Sequence, residues 1–286
     1  MRIANIDGRL ALVAGELALD VERASGGRFP ADPDLVLQRW PEFAAWGAGR
    51  SVDDGEPFTV ARVGPPLRRP AQIFAIGLNY RAHVEEAGVR QAPSTPAVFT
   101  KFVTSLAGPY DTVHLPSDQV DWEVELVAVI GERAYQVAER DAWRHVAGLT
   151  VGQDLSERAV QLSGPVPQFS LGKSFPGFSP IGPVLVTPDE FSDPDDLGLR
   201  CELGEEVLQD GRTKDMIFSV PQLVARLSAV LPLLPGDLIF TGTPSGVGMG
   251  SDPKRYLVPG STLVSTVEGI GELRNPLVAG PRYAAE

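Results

Sequence analysis

The stretch VDWEVELVAVIG, from Val120 to Gly131, decides the fold of this chain. Its second half is apolar and rich in β-branched residues, which predicts a buried β-strand. Asp121, Glu123 and Glu125 recur at every second position, so a strand would present all three carboxylates on one face. The opposite face of that strand would be apolar, with Trp122, Val124 and Leu126.

Three carboxylates on one strand face allow two interpretations. Like charges at this spacing raise each other's pKa unless a positive charge lies between them, and a divalent cation held by oxygen ligands supplies one. In that case Glu123 and Glu125 are the predicted ligands, whereas Asp121, at the start of the strand, is predicted to be solvated or to lie behind them. Alternatively, the stretch is an edge strand whose acidic face is solvated.

The composition fits a globular protein and excludes several classes of partner. The chain has 286 residues, of which 43% are hydrophobic, and this length suffices for one large domain plus a smaller one. The formal net charge of −12 argues against a nucleic acid or an anionic membrane as partner. No apolar run reaches the length of a signal peptide or a membrane span, and the single Cys201 rules out an intramolecular disulfide. We therefore expect a soluble cytoplasmic protein.

Two domains are predicted, with a boundary at the proline-rich residues 63–70. Residues 1–69 are expected to form a small α+β domain, with a hairpin at Asp7-Gly8 and a helix capped by Asp32. Residues 70–286 are expected to form a mostly β domain with a few helices, because strand patterns there are not separated by regular helical ones. Within it, residues 164–183 carry five prolines and four glycines and predict a long functional loop.

His83 and Glu86 are a candidate proton-transfer pair. They are three residues apart in RAHVEEAG, a predicted helix, so the carboxylate can hold the imidazole in one tautomer and raise its basicity. A general base that activates a water needs this arrangement. A surface histidine beside a solvated glutamate has the same pattern, and the sequence alone leaves both interpretations open.

Asp154 and Lys173 are two further candidates. Asp154 ends a predicted strand and could join Glu123 and Glu125 in a set of oxygen ligands that suits Mg²⁺ or Mn²⁺, with Ca²⁺ as a third candidate. It could equally be the N-cap of a helix over residues 156–162. Lys173 could offer a fixed ammonium group to a developing enolate or carboxylate, or be an ordinary loop lysine. Its Gly-Lys-Ser sequence is not a phosphate-binding loop, because Pro167 stands where that motif requires glycine.

In this order and company, the motifs resemble those of the fumarylacetoacetate hydrolase family. The resemblance runs from about Ile73 to Pro276 and rests on GLNYRAHVEEAG, VDWEVELVAVIG, GQDLSERAVQ, LGKSFPGFSPIGP and PGDLIFTGTPSGVG. The family includes acylpyruvate hydrolases, oxaloacetate decarboxylases and 2-hydroxyhepta-2,4-diene-1,7-dioate isomerases. The resemblance implies a mixed β-sandwich roll, a small leading domain and a homodimer.

The resemblance also implies roles for ten residues. The implied metal ligands are Glu123, Glu125 and Asp154. The implied catalytic residues are His83, Glu86 and Lys173. The implied substrate-binding residues are Lys101, Arg158, Gln161 and Thr243. The chain departs from the common family pattern at Ala159 and at Pro176-Gly177, which leaves substrate specificity open.

The predicted activity is divalent-metal-dependent hydrolysis of a carbon–carbon bond in a 2,4-diketo acid, releasing pyruvate or a related 2-keto acid. The substrate would chelate the cation, which acts as a Lewis acid, and His83 would deprotonate the attacking water. Decarboxylation of oxaloacetate and isomerisation of a 2-hydroxy-dienoate are alternatives within the family. Outside enzymes, the alternative is a β-protein that binds Ca²⁺ structurally.

Overall fold

The computed structural model describes residues 1–283, and in this range the chain is mostly β. The strands, numbered in chain order, are β1 (Arg2–Ile6), β2 (Arg9–Ala14), β3 (Leu17–Asp20), β4 (Glu56–Pro57), β5 (Val63–Gly64), β6 (Ile73–Gly77), β7 (Ala97–Thr100), β8 (Leu106–Ala107), β9 (Val113–Leu115), β10 (Val120–Asp121), β11 (Val124–Ile130), β12 (Val146–Gln153), β13 (Ser156–Glu157), β14 (Ser179–Val186), β15 (Gly198–Leu203), β16 (Glu206–Arg212), β17 (Leu238–Phe240), β18 (Thr262–Val267) and β19 (Gly271–Ala279). The helices are α1 (Val21–Ala24), α2 (Pro33–Val36), α3 (Trp40–Gly47), α4 (Arg81–Glu86), α5 (Arg158–Gln161), α6 (Phe169–Gly172) and α7 (Val220–Ser228).

Two large sheets build the molecule. The larger has twelve strands, in the order β4-β3-β2-β1-β14-β12-β11-β17-β6-β7, with β5 paired to β1 and β8 to β14. The second has five strands, in the order β16-β15-β18-β19-β9, and β10 and β13 form a separate pair. Parallel pairs such as β17 with β6 stand beside antiparallel ones such as β11 with β12, so the predicted mixed, mostly β architecture is confirmed.

Strand β11 is buried along its whole length because both of its faces are covered. Val124, Leu126 and Ala128 belong to one core, which also contains Leu199 and Leu263 from the five-stranded sheet. The intervening Val127 and Val129 belong to a second core, which also contains Trp40 and Phe43 from α3. The alternation of the two faces, predicted from the period-2 spacing, is therefore present.

Three expectations for this segment need correction. The strand is interrupted at residues 122–123, between β10 and β11, so it does not run unbroken from Val120 to Gly131. The edge-strand alternative fails as well, because β11 pairs with β12 on one side and with β17 on the other. Asp121 is fully buried rather than solvated.

The N-terminal residues extend the large sheet. Strand β1 pairs with β2 across the predicted turn, where Asp7 and Gly8 have φ of 51° and 81°, and it pairs with β14 on its other edge. Asp32 caps α2, as predicted, with an oxygen that accepts the amide hydrogen of Asp34. A separate domain over residues 1–69 stays a prediction.

Residues 139–145 form a 3-10 helix, and the following Val146 to Gly148 already belong to β12. One local prediction needs correction. Residues 164–183 are not one continuous loop: they contain the single turn of α6 and the beginning of β14. Among residues 1–283, no helix is long and apolar enough to cross a membrane.

We expect Leu126→Ala to lower the free energy of unfolding by about 2–5 kcal/mol, because the truncation leaves a cavity between two rigid sheets. Chemical denaturation followed by circular dichroism measures this. Val230→Ala is the control, since that side chain is 79% exposed and its loss should change stability by less than about 0.5 kcal/mol. Equal effects of the two substitutions would contradict the assignment of Leu126 to a packed core.

Candidate metal and active site

Glu123, Glu125 and Asp154 form a cluster of buried carboxylates. One oxygen from each of them lies within 4.8 Å of the other two. The antiparallel pairing of β11 with β12 produces this cluster, because it sets Glu125 opposite Gly152 and brings the end of β12 to the start of β11. The amide of Asp154, just beyond β12, donates to the carbonyl of Glu123 at 2.9 Å. We call these three residues the carboxylate cluster.

Two glutamine side chains hold the chain where it leaves the regular strand. Gln153 Oε1 accepts the amide hydrogen of Glu123 at 2.9 Å, and Gln209 Oε1 accepts that of Val124 at 2.9 Å. Both glutamines are buried, and the Nε2 of Gln153 donates to Ser265 Oγ of the five-stranded sheet at 3.0 Å. These bonds replace backbone pairing at the interruption and so fix the position of Glu123.

Three buried cations surround the cluster. Lys173 Nζ donates to Glu123 Oε2 at 2.8 Å and to Asp154 Oδ2 at 2.7 Å. Lys101 Nζ donates to Asp154 Oδ1 at 2.5 Å and to the carbonyl of Lys173. Arg158 Nη2 lies 2.8 Å from Glu123 Oε1. Glu125 is the only one of the three carboxylates with no cation within 4.0 Å among residues 1–283.

The charges of these neighbours separate the two glutamates. Burial by itself would raise the pKa of Glu123, but Lys173 and Arg158 outweigh that effect and lower it. Burial raises the pKa of Glu125, and the negative charges of Asp154 and Glu123 raise it further. One backbone hydrogen bond, from the amide of Gly242 at 2.8 Å, does not compensate for these effects. Among residues 1–283, Glu125 is therefore the carboxylate of the cluster whose negative charge the protein balances least.

A divalent cation fits this donor set. All three donors are carboxylates, the ligand type that Mg²⁺, Mn²⁺ and Ca²⁺ prefer. With Asp121 included, four buried carboxylates oppose three buried cations, so the group has one negative charge in excess when all are ionised. A divalent ion would reverse the sign and leave one positive charge for an anionic ligand.

His83 and Glu86 form the predicted pair. His83 Nδ1 lies 2.9 Å from Glu86 Oε2, on the single helix α4. The amide of Gly246 donates to the other oxygen of Glu86 at 2.8 Å, which holds the carboxylate on two sides. A carboxylate bound at Nδ1 places the ring proton there and leaves Nε2 able to accept a proton. The pair is mostly buried, with 11% of the His83 side chain and 18% of the Glu86 side chain exposed, so the solvated-surface alternative does not describe it.

The residues expected to bind substrate make contacts within the protein. Arg158 donates from Nε to Asp121 Oδ2 at 2.8 Å and from Nη1 to Gln161 Oε1 at 2.8 Å. The hydroxyl of Thr243 donates to the carbonyl of Val124 at 2.9 Å. Lys101, as described above, bonds to Asp154. Substrate contacts by Lys101, Arg158, Gln161 and Thr243 stay predictions.

Sequence reasoning missed several residues that build the site. Gln209 lies in a strand without any motif, and only the tertiary structure brings it beside Val124 and Thr243. The amides of Gly242 and Gly246 come from the glycine-rich segment, which the sequence marks as a close backbone approach without naming a partner. The alternative role of Asp154 as a helix N-cap is wrong, because Glu157 caps α5.

The fold and the site together define a class: a mixed-sheet β-protein with a candidate divalent-cation site beside a histidine–glutamate pair and a buried lysine. The chain belongs to the fumarylacetoacetate hydrolase family. Residues 72–278 match the family model described as fumarylacetoacetate (FAA) hydrolase C-terminal. This match confirms the resemblance found in the motifs.

The names of relatives within the family describe different activities. Human oxaloacetate tautomerase FAHD2A, mitochondrial, is 42% identical over 215 residues, which cover 74% of this chain and 68% of that protein. The crystal structure of a putative HpcE protein from Mycobacterium smegmatis is 50% identical, with a TM-score of 0.92 and coverage of 98% of this chain and 99% of that one. Maleylpyruvate hydrolase from Sphingobium sp. SYK-6, solved with manganese(II) and pyruvate, is 28% identical, with a TM-score of 0.81 and coverage of 98% and 100%.

We expect Glu125→Gln to weaken Mn²⁺ binding by more than about 100-fold. Loss of a residue that hydrogen-bonds to a metal ligand typically costs about 10–100-fold in affinity, and loss of the ligand itself should cost more. Titration calorimetry on the metal-free protein measures this. Glu206→Gln is the matched control, since Glu206 is exposed and paired with Arg255 at 2.6 Å. Unchanged affinity in Glu125→Gln would show that the carboxylate cluster does not hold the ion.

Proposed function

We propose that this protein is a divalent-metal-dependent enzyme that moves a proton between the enol and keto forms of a small 2-keto acid, with an oxaloacetate-type dicarboxylate as substrate. The observation that carries the proposal is the His83–Glu86 pair beside the carboxylate cluster. The name of the 42% identical human relative, oxaloacetate tautomerase, supports the choice of reaction. The sequence alone favoured hydrolysis, and these relatives move proton transfer to first place.

His83 would act as the base and acid of the proton transfer. Its Nδ1 is occupied by Glu86 at 2.9 Å, so Nε2 is the nitrogen that takes a proton from the carbon next to the keto group and returns it to oxygen. Glu86 stabilises the imidazolium that forms, because its charge lies against the ring. Gly246 keeps the carboxylate in place during this step.

Lys173 would stabilise the negative charge that develops on the substrate oxygen. Its ammonium is fixed by Glu123 and Asp154 at 2.8 and 2.7 Å, so no reorganisation is needed when that charge appears. Burial opposes the charged form of Lys173, but Asp154 and Glu123 outweigh it and raise the pKa, so the group stays cationic at neutral pH. A divalent cation held by Glu123, Glu125 and Asp154 would supply Lewis-acid polarisation of the keto oxygen.

The charge of the site favours an acidic substrate. With a divalent cation bound and all groups ionised, the buried group of four carboxylates and three cations has one positive charge in excess. A 2-keto carboxylate neutralises it, whereas a neutral ketone would leave it uncompensated in a poorly solvated site. Arg158 and Lys101 remain the candidates for contacts with the substrate carboxylate.

A second candidate is hydrolysis of a carbon–carbon bond in a 2,4-diketo acid. The observation that favours it is the similarity to maleylpyruvate hydrolase, solved with manganese(II) and pyruvate. The same Nε2 of His83 would then take a proton from the attacking water instead of from carbon. Decarboxylation of oxaloacetate needs no base, so the intact His83–Glu86 pair gives it no support. The cytoplasmic location and the homodimer stay predictions, and the human relative is mitochondrial by name.

We expect His83→Ala to lower turnover by about 10²–10⁴-fold, the usual contribution of a positioned acid–base group, while Mn²⁺ affinity changes by less than about threefold. Steady-state kinetics and calorimetry measure the two quantities. His114→Ala is the control, because His114 is exposed on β9. Near wild-type turnover in His83→Ala would remove His83 from the reaction.

A substrate panel separates the reactions. With Mg²⁺ or Mn²⁺, we expect the protein to accelerate loss of the enol absorbance of oxaloacetate without releasing CO₂. Acylpyruvates are the second arm, with pyruvate and the free acid as the products scored. Rapid release of pyruvate and acid, with no effect on enol absorbance, would favour hydrolysis over the proposed proton transfer.

A further inference from the structure

Asp121 is the one carboxylate of the VDWEVE segment that the proposed reaction does not use. It is fully buried, and both of its oxygens are occupied by donors from the protein. Oδ1 accepts the amide hydrogens of Trp122 at 2.8 Å and Gly248 at 2.7 Å. Oδ2 accepts the amide hydrogen of Met249 at 3.0 Å and lies 2.7 Å from Arg158 Nη2. These contacts distinguish it from Glu125, which has one hydrogen bond and no cation beside it.

The amides that Asp121 binds belong to the same glycine-rich segment that holds the proton-transfer pair. We call residues 246–250 the glycine loop. Its Gly246 amide donates to Glu86, and its Gly248 and Met249 amides donate to Asp121. The loop lies close against its neighbours, because a Cβ on Gly246 would meet the carbonyl of Leu208 at 2.1 Å, and a Cβ on Gly250 would meet Glu86 Cγ at 2.5 Å. Two carboxylates of the protein, those of Glu86 and Asp121, therefore accept the amide hydrogens of this loop.

Asp121 also reaches the carboxylate cluster from the other side. Arg158 joins Asp121 to Glu123, with Nη2 at 2.7 Å from the first carboxylate and 2.8 Å from the second. A single buried side chain is therefore connected to His83 through the glycine loop and Glu86, and to Glu123 through Arg158. No other carboxylate among residues 1–283 makes both connections.

We propose, on the basis of the function proposed above, that Asp121 is a positioning residue that sets the distance between the His83–Glu86 pair and the carboxylate cluster. It acts through the glycine loop and does not contact metal or substrate. Its charge is required twice, once to bind the loop amides and once to hold Arg158 against Glu123. The base and the ion site are on different elements, and Asp121 connects the two.

The decisive experiment is a double-mutant cycle with Asp121→Asn and His83→Ala in the Mg²⁺-loaded protein. Asparagine keeps the size of the side chain but cannot accept hydrogen bonds from both sets of donors. We expect kcat to fall by about 10–100-fold with KM changed by less than about threefold. This is the loss typical of residues that orient a functional side chain by hydrogen bonds. In the His83→Ala background the same substitution should lower residual activity by a clearly smaller factor, because the part of its effect that acts through His83 is already lost.

Asp237→Asn is the matched control. Asp237 is also fully buried and accepts backbone amide hydrogens, from Leu234 at 2.7 Å and Gln72 at 2.9 Å, at the far end of β17 from the site. It should lower the melting temperature and leave kcat unchanged. The inference is overturned if Asp121→Asn behaves like this control, or if it lowers activity by the same factor with and without His83.

A second variant covers the case in which Asp121→Asn does not fold. Met249 lies within the 3-10 turn Gly248–Gly250, whose backbone a proline can adopt, so Met249→Pro removes one amide donor and keeps the Asp121–Arg158 pair. We expect a smaller fall in kcat, by about 3–10-fold, the loss typical of one hydrogen bond. Wild-type kcat in this folded variant would overturn the role of the loop.

A nuclear magnetic resonance measurement tests the inference even if the proposed reaction is wrong. The chain has only three histidines, so the ring resonances of His83 can be assigned by single substitutions. In the Mg²⁺-loaded wild type we expect a slowly exchanging Nδ1–H signal from the bond to Glu86, also present in Asp237→Asn and broadened in Asp121→Asn or Met249→Pro. An unchanged signal in the folded Asp121 and Met249 variants overturns the inference. Absence of turnover in the wild type would count only against the proposed function.

Discussion

The structure depends on burying a group of opposite charges at the point where β11 leaves its regular pairing. Four carboxylates lie out of water there, and burying them unpaired would cost several kcal/mol each. Lys101, Arg158 and Lys173 offset most of that cost, and each of them bonds to a carboxylate at 2.5–2.8 Å. The imbalance that remains falls on Glu125, the position where a divalent cation would complete the site.

The two sheets make this arrangement rigid. Because β11 has an apolar core on each face, it cannot shift to move its buried carboxylates into water. Gln153 and Gln209 continue the hydrogen bonding where the ladder stops, and both connect the strand to other parts of the fold. The same rigidity suits catalysis, because a base and an ion site work together only when their separation is fixed.

Much of the site was predictable from the spacing of residues. The i, i+3 relation of His83 and Glu86 and the period-2 relation of Glu123 and Glu125 are local, so a helix and a strand suffice to produce them. Asp154 was an open choice between a ligand and a helix cap, because that choice depends on where the end of β12 lies relative to β11. The same limit applied to Asp121, whose burial follows from Arg158 and the glycine loop rather than from its place in the strand.

The sequence by itself determined the class of fold, the family and the local pairs, because alternation of apolar residues and short motifs are properties of neighbouring positions. The tertiary structure alone decided which charges meet. Residues 86, 121, 158 and 246 are distant along the chain, and only the packing of α4, the glycine loop and the interrupted strand brings their hydrogen bonds together. A long-range contact of this kind depends on how whole elements pack, which no spacing within one element encodes.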